Sequence, residues 1–260
     1  MAGPVALVGS GEYLPVMAEL EASLIAGRPP RYVQFPTAAG LEGEASVSRW
    51  VSLGRQQAAR LGVEAVPVMA LDRASADDEA NACLVEGAGL IYLSGGDPGY
   101  LAATLRSTRV WRAVVEEWSK GAALAGCSAG AMALMQWVPD IRRHRAEPSE
   151  GLGLVPAMWA LPHFDRLQSW APDMATALLE RLPAGSVLVG LEEETAIVSD
   201  GEGFDRWAVH GRQSAWLLGP GFSARYRAGD WLDVRPALQR QRASGGERAS
   251  GGEGASGRGR

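Results

Sequence analysis

The chain has few cysteines, no excess of basic residues and no long apolar run. Only Cys83 and Cys127 carry thiols among its 260 residues, so neither a disulfide framework nor a cysteine-based zinc site is expected. The formal net charge is -5 and no basic stripe stands out, which argues against nucleic-acid binding. No run is long enough to cross a bilayer, and the N-terminus lacks the basic and apolar regions of a signal peptide. These absences predict a cytoplasmic protein.

Nucleotide-binding signatures are missing as well. The turn Gly9-Ser10-Gly11 follows a predicted strand, but Leu14 stands where a dinucleotide-binding loop needs its third glycine. No P-loop motif occurs either. We therefore expect neither a cofactor nor a metal ion.

Short apolar runs alternate with segments of helical periodicity through the first half of the chain. The predicted strands cover residues 5–8, 32–35, 63–68, 90–93 and 122–125. The predicted helices cover residues 15–26, 47–61, 77–86 and 110–118. Strands that alternate with helices indicate a parallel sheet covered on both faces.

The second half reads differently and ends in a low-complexity segment. A helix around 174–182 and a buried strand at 187–191 precede short runs at 195–198, 204–209 and 214–218, which predict antiparallel strands with tight turns at Asp200-Gly201 and His210-Gly211. The predicted fold class is α/β: a three-layer αβα sandwich with a mostly parallel sheet and a small antiparallel addition. Residues 1–238 form one predicted domain, and 239–260, where Ala-Ser-Gly-Gly-Glu recurs, form a predicted disordered tail.

The segment Gly126-Cys127-Ser128-Ala129-Gly130 predicts a nucleophile elbow after a central strand. A G-x-S-x-G pattern between a strand and a helix holds its serine on a sharp turn above the sheet. Ser128 is therefore the candidate nucleophile, and the Ala129 amide at the helix N-terminus is a candidate oxyanion donor. Cys127 lacks flanking glycines at 125 and 129 and is expected to be a buried small residue. The alternative is a small-residue turn that packs a strand against a helix.

The segment Ser94-Gly95-Gly96-Asp97 ends another predicted strand at the carboxyl edge of the sheet, where open α/β folds place their sites. Its glycines allow close approach of backbone amides to a ligand. We expect an oxyanion donor at Gly96 and substrate contacts at Gly95 and Asp97. An ordinary turn with Asp97 as a helix N-cap is the alternative, and both can hold together.

A catalytic serine needs a base, and the chain has three histidines. His163 follows an apolar segment and is favoured over His144, in a charged run, and His210, in a predicted turn. The carboxylate that orients the base is sought among Glu192-Glu193-Glu194 and at Asp140.

Five ordered motifs together resemble the serine peptidase family of aspartyl dipeptidase (peptidase E) and cyanophycinase. They are Ser94-Gly95-Gly96-Asp97, Gly126-Cys127-Ser128-Ala129-Gly130-Ala131, Gly151-Leu152-Gly153-Leu154-Val155-Pro156, Pro162-His163-Phe164 and Gly190-Leu191-Glu192-Glu193-Glu194-Thr195-Ala196. The resemblance covers roughly residues 3 to 235. It implies a fold like that of class I glutamine amidotransferases and the chain order serine, histidine, acid.

The resemblance implies a catalytic triad of Ser128, His163 and Glu193. Asp140 ranks second as the acid, because peptidase E-like members draw theirs from the segment between serine and histidine. It also implies a small peptide or isopeptide substrate with an aspartyl residue on the acyl side. Arg142, Arg143 or Arg166 could bind a substrate carboxylate.

Two other functions stay open on the residues. One is an α/β-hydrolase esterase that combines Ser128 with His210 and with Asp173 or Asp200. The other is a catalytically silent binding domain on the same fold. The sequence leaves both a monomer and a homodimer open.

Overall fold

The computed structural model describes residues 1–140, 147–170, 173–200 and 203–240. The helices are α1 (Ala18–Ile25), α2 (Glu44–Leu61), α3 (Arg73–Ala76), α4 (Glu79–Cys83), α5 (Pro98–Leu105), α6 (Arg109–Ser119), α7 (Ala129–Ala133), α8 (Phe164–Trp170) and α9 (Met174–Arg181). The strands are β1 (Val5–Val8), β2 (Arg31–Phe35), β3 (Glu64–Pro67), β4 (Leu90–Leu93), β5 (Ala123–Cys127), β6 (Trp137–Val138), β7 (Ser149–Glu150), β8 (Met158–Pro162), β9 (Val187–Leu191), β10 (Thr195–Ser199), β11 (Arg206–Gly211), β12 (Ser214–Gly219), β13 (Phe222–Arg227) and β14 (Trp231–Asp233).

Helix ends follow local side-chain chemistry. Asp97 caps α5 by accepting a hydrogen bond from the Tyr100 amide, and Pro98 occupies the first turn, where its missing amide is harmless. Thr108 caps α6 in the same way. At the C-terminal end of α2, Gly62 has a φ of 70°, the left-handed conformation that ends many helices.

The main sheet has eight strands in the order β14-β11-β10-β1-β5-β4-β2-β3. Strands β1 to β5 are mutually parallel, whereas β10, β11 and β14 extend the sheet in antiparallel fashion beyond β1. The α/β class and the mostly parallel central sheet predicted from the sequence are confirmed. The strand that leads into the elbow, β5, lies between β1 and β4, near the middle of the eight-stranded sheet.

A second sheet of four strands, β13-β12-β9-β8, carries the rest of the C-terminal half. Its strands β8 and β9 are parallel, with Pro162 opposite Leu191. The predicted tight turn at His210-Gly211 differs from the structure: both residues belong to β11, and Arg212 and Gln213 carry the chain into the second sheet. A smaller pair, β6 and β7, lies apart from both sheets.

The main sheet is apolar on both faces. Along β4, Leu90 and Tyr92 face one layer, which contains α1 and α2, whereas Ile91 and Leu93 face the other. That second layer contains α5, α6, α7 and the inner face of the second sheet. Helices α8 and α9 cover the outer face of the second sheet in a separate cluster around Trp159. Burial of each large apolar side chain contributes about 1.5–3 kcal/mol.

A further helical segment covers residues 235–240 and ends two residues past the predicted end of the domain. The Arg240 guanidinium lies 5.6 Å from the centroid of the Phe222 ring. The remainder of the predicted tail lies outside the described residues. Among the helices that the structure describes, none is long and apolar enough to span a membrane.

Candidate active site

Ser128 occupies a strained turn between β5 and α7. Its φ of 50° and ψ of -107° lie outside the regions that ordinary residues favour. A Cβ on Gly126 would come within 2.5 Å of the Gly130 carbonyl carbon, and one on Gly130 within 2.3 Å of the Leu93 carbonyl oxygen. The two glycines are therefore needed for the elbow to pack against the sheet. The Ser128 amide donates to the Val8 carbonyl at 2.9 Å, which fixes the turn to β1.

His163 follows β8 directly and faces Ser128 across the two sheets. Its Nε2 lies 2.7 Å from Ser128 Oγ. His163 also has a positive φ of 139°, a conformation that non-glycine residues rarely adopt. The end of β8 thus holds the imidazole over the elbow at the cost of local backbone strain.

Glu193 reaches the other imidazole nitrogen from the end of β9. Its Oε1 lies 3.5 Å from His163 Nδ1, which is long for a hydrogen bond. Such contacts are often loose without substrate and tighten when it binds. Since β8 and β9 run parallel, with Pro162 opposite Leu191, the residues that follow them emerge at the same edge. Hydroxyl, imidazole and carboxylate then stand in the order that activates a serine in hydrolases.

Two residues of α8 hold Glu193 in place. Arg166 Nε donates to Glu193 Oε2 at 3.3 Å, and the Glu193 amide donates to Asp165 Oδ1 at 3.0 Å. Arg166, one of the arginines considered for a substrate carboxylate, is thus engaged with Glu193. This use of Asp165 and Arg166 was not predicted from the sequence, although both stand within three residues of His163.

The three consecutive glutamates have separate partners. Glu192 is buried, and its carboxylate accepts from the Ser214 amide at 2.9 Å and from Trp216 Nε1 at 2.7 Å. Glu194 pairs with Arg212 at 3.0 Å. Glu192 therefore ties β9 to β12, and Glu193 is the one of the three that contacts the histidine.

A cavity of about 800 Å³ opens in front of Ser128 and brings most of the predicted site residues together. Its lining includes Gly96, Asp97, Ser128, Ala129, Asp140, His163 and Glu193. The predicted substrate contact at Gly95 differs from the structure: Gly95 is not among the lining residues, and its amide donates to Glu12 Oε1 at 3.0 Å. Asp140 lines the same cavity and is exposed. It is the last described residue before the range that begins at residue 147.

The Ser94–Asp97 loop directs one amide differently from its neighbours. The Ser94 amide donates to the Phe35 carbonyl at 3.1 Å, and the Asp97 amide donates to the Ala38 carbonyl at 2.8 Å. No acceptor occurs for the Gly96 amide among the described residues, and the same holds for the Ala129 amide. Gly96 has φ 140°, and a Cβ there would approach the Ala38 carbonyl oxygen to 2.4 Å. The Gly96 and Ala129 amides are thus two donors beside Ser128 that have no acceptor among the described residues.

Cys127 is buried beneath the elbow, as expected, but it is not merely apolar filling. Its thiol donates to Glu12 Oε2 at 2.9 Å. Burial, reinforced by the Glu12 carboxylate, raises the pKa of the Cys127 thiol well above its usual range. A thiol held in its neutral form is a poor nucleophile, which leaves that role to the neighbouring hydroxyl.

Apart from Ser128, the residues of the esterase alternative do not line the cavity. His210 is half-buried on β11, and burial lowers the pKa of its imidazole. Neither Asp173 nor Asp200 lines the cavity.

His144, Arg142 and Arg143 lie outside the described residues. Within the described ranges, no group of three or more histidine, cysteine or acidic side chains is arranged to hold a metal ion.

Comparison with known proteins gives the chain a family. The model of Peptidase family S51 matches residues 5–207. A crystal structure of a peptidase from an acI-B1 Actinobacterium is 44% identical, covers 90% of this chain and 97% of its own, and superposes with a TM-score of 0.83. A candidate peptidase E protein from Listeria monocytogenes EGD-e shares the fold at 17% identity and a TM-score of 0.60, over 82% of this chain and 100% of its own. No curated protein sequence matches the chain.

Proposed function

The chain belongs to peptidase family S51 and is a serine peptidase, and we propose that it cleaves small peptides through a triad of Ser128, His163 and Glu193. The observation that carries the triad is the 2.7 Å contact between Ser128 Oγ and His163 Nε2 at the wall of the cavity. Glu193 lies on the far side of the same imidazole.

In the proposed reaction, Ser128 Oγ attacks the scissile carbonyl as His163 Nε2 takes its proton. The Gly96 and Ala129 amides donate to the oxyanion of the tetrahedral intermediate, and each such donor contributes about 3–4 kcal/mol in comparable enzymes. His163 returns the proton to the leaving amine, and water then hydrolyses the acyl-enzyme by the reverse proton transfers. Glu193 holds Nδ1–H and stabilises the imidazolium that forms.

Glu193 is the first choice for the acid, and Asp140 the second. Glu193 contacts His163 Nδ1 directly and is itself held by Arg166. Asp140 lines the same cavity from the segment after β6. Comparison of Glu193→Gln with Asp140→Asn decides between them, because only loss of the true acid lowers kcat strongly.

We propose an N-terminal aspartyl residue on the acyl side of the substrate. The cavity volume suits a ligand of dipeptide size. Asp97, Asp140, Glu147 and Glu193 contribute carboxylates to the lining, and two of them are paired, Glu147 with Arg181 and Glu193 with Arg166. These acids favour a substrate with a free ammonium group over one that is only anionic. The aspartyl side chain is proposed from the resemblance of the sequence motifs to peptidase E. An acetylated N-terminus should therefore be cleaved less well than a free one.

The test is hydrolysis of Asp-X, Glu-X, Ala-X and β-Asp-Arg dipeptides by the wild type and by Ser128→Ala. Cleavage of Asp-X that is lost in the variant supports the proposal, and N-acetyl-Asp-X reports on the ammonium group. Cleavage of β-Asp-Arg instead indicates an isopeptidase. Cleavage that persists in Ser128→Ala would contradict the proposed nucleophile.

A further inference from the structure

One carboxylate joins the two segments that hold the proposed oxyanion donors. Glu12 follows β1, and its Oε1 accepts from the Gly95 amide at 3.0 Å. Its Oε2 accepts from the Cys127 thiol at 2.9 Å. Gly95 immediately precedes Gly96, and Cys127 stands two residues before Ala129. Glu12 thus binds the backbone of one donor segment and a side chain of the other.

The hydrogen bonds of the Ser94–Asp97 loop show what Glu12 fixes. The amides of Ser94 and Asp97 donate to main-chain carbonyls, at Phe35 and Ala38. The Gly95 amide alone relies on a side chain, that of Glu12. Without this acceptor the Ser94–Gly95 peptide could rotate, since glycine permits many backbone conformations. Rotation there would redirect the next amide, which belongs to Gly96.

Glu12 approaches the elbow closely and yet is not among the residues that line the cavity. A Cβ on Gly95 would lie 2.6 Å from Glu12 Oε1 and 3.7 Å from Ser128 Cβ. The backbone at Gly95 thus lies between the Glu12 carboxylate and Ser128. It can act on the reaction only through the groups that it holds.

The residue next to Glu12 strengthens the same connection. Tyr13 has a positive φ of 65°, and its hydroxyl lies 2.6 Å from Ser94 Oγ. Gln34 Nε2 donates to that hydroxyl at 2.9 Å. The turn after β1 therefore holds two consecutive residues of the loop, Ser94 by its side chain and Gly95 by its backbone.

We propose that Glu12 is a positioning residue that keeps the Gly96 and Ala129 amides directed at one point beside Ser128. The inference rests on the proposed function, since it assigns a role to the oxyanion donors. Glu12 transfers no proton and does not touch substrate. Its carboxylate serves as a double acceptor whose geometry, rather than its charge, orients the donors.

The test compares Glu12→Ala, Glu12→Gln and Cys127→Ala, with the exposed Glu19→Ala on α1 as the control for loss of an acid. Two readouts are used: kcat and KM on the cleaved dipeptide, and the rate at which a small fluorophosphonate labels Ser128. Glu12→Ala should lower kcat and the labelling rate by roughly 10- to 100-fold, because misplaced oxyanion donors lose part of the roughly 10²- to 10³-fold that one donor supplies. KM should stay within about threefold, because ground-state binding does not depend on these donors.

Glu12→Gln retains an acceptor oxygen for the Gly95 amide, so it should stay within about fivefold of the wild type if geometry is what matters. Cys127→Ala leaves the Gly95 contact intact and should lose less than Glu12→Ala. If Glu12→Ala does not fold, Glu12→Asp decides, because a side chain one methylene shorter cannot reach both partners.

Unchanged kcat and labelling in folded Glu12→Ala, or in Glu12→Asp when the alanine variant does not fold, would overturn the inference and leave the proposed function intact. A loss that falls only on KM, or an equal loss in Glu12→Gln and Glu12→Ala, would overturn it as well. A wild type that neither cleaves the dipeptides nor labels at Ser128 would remove the proposed function, and this inference with it. The outcomes therefore separate the two claims.

Discussion

The two halves of the candidate site are held by different means. On the main sheet, Ser128 is fixed by main-chain hydrogen bonds and by glycines that allow backbone segments to touch. On the second sheet, His163 and Glu193 meet through side chains that are 37% and 29% exposed, at 3.5 Å. Arg166, which holds Glu193, is 54% exposed.

This difference separates the expected effects of substitution. Backbone contacts without free space make the elbow intolerant of added atoms, so changes there should act on folding. Exposed side-chain contacts contribute little to stability, so changes there should act on rate.

The largest effect is expected from removal of the nucleophile or the base. Ser128→Ala and His163→Ala should each lower kcat by roughly 10⁴- to 10⁶-fold, and the double variant should lose little more, because the two act as one unit. Steady-state kinetics of the three proteins check this. Additive losses would indicate that the two residues act independently.

The neighbouring glutamates offer a matched pair on the second sheet. Glu193→Gln should lower kcat by roughly 10²- to 10⁴-fold with little loss of stability, because it disturbs the orientation of His163. Glu192→Gln should keep kcat within a few-fold and lose about 1–3 kcal/mol of stability, because an amide NH₂ would face the Ser214 or Trp216 donor. Kinetics and urea unfolding of both variants separate the roles, and the reverse pattern would contradict them.

Glycine substitutions test the main-sheet half. Gly130→Ala should cost about 3 kcal/mol or more, because its Cβ would lie 2.3 Å from a main-chain oxygen in a part of the fold that cannot move away. Gly99→Ala in α5 is the control: its Cβ would lie 3.5 Å from the nearest atom, and alanine favours helices by about 1 kcal/mol. Thermal unfolding compares them. Equal stability of the two variants would remove the argument that packing fixes the elbow.

A buried carboxyl on the opposite face of the main sheet should affect stability without affecting the site. Burial raises the pKa of Glu21 from 4.5 to about 7, so its contribution is most favourable below pH 4.5 and is lost as the pH rises through 7. Glu21→Gln should therefore be more stable than the wild type by roughly 3 kcal/mol at pH 8 and similar to it near pH 4.5. Unfolding at both pH values checks the sign, and kcat should not change. A variant less stable at pH 8 would contradict the assignment.

The smallest effect is expected at the C-terminus. Removal of residues 241–260 should leave kcat and the unfolding temperature within error, because no large apolar residue follows Leu238. Calorimetry and dipeptide hydrolysis of the truncated chain test this. A marked loss of either would mean that the segment packs on the domain.

The difference between local patterns and long-range pairing explains what could be predicted from the sequence. The alternation of strands and helices and the turn at Ser128 were readable because local patterns determine them. Strand β8 was recognised only as an apolar segment, since Met158–Pro162 is buried throughout and shows no alternation. The two-sheet arrangement of the C-terminal strands was missed for a related reason: strand order depends on long-range pairing.

Individual side chains were harder to place than elements. The contact between Glu193 and His163 depends on the parallel pairing of β8 with β9, which no local pattern reveals. Glu12 carries no motif at all, and its contacts arise because β1 lies beside β5 in the main sheet. The one available signal was its position just after the carboxyl end of a central strand.

The most direct test of the two-sheet triad is mass-spectrometric mapping of the fluorophosphonate adduct in the wild type, His163→Ala and His210→Ala. We expect an adduct on Ser128 in the wild type and in His210→Ala at the same rate, and a rate lowered by at least about 10³-fold in His163→Ala. An adduct on another residue, or labelling that survives in His163→Ala and disappears in His210→Ala, would contradict it.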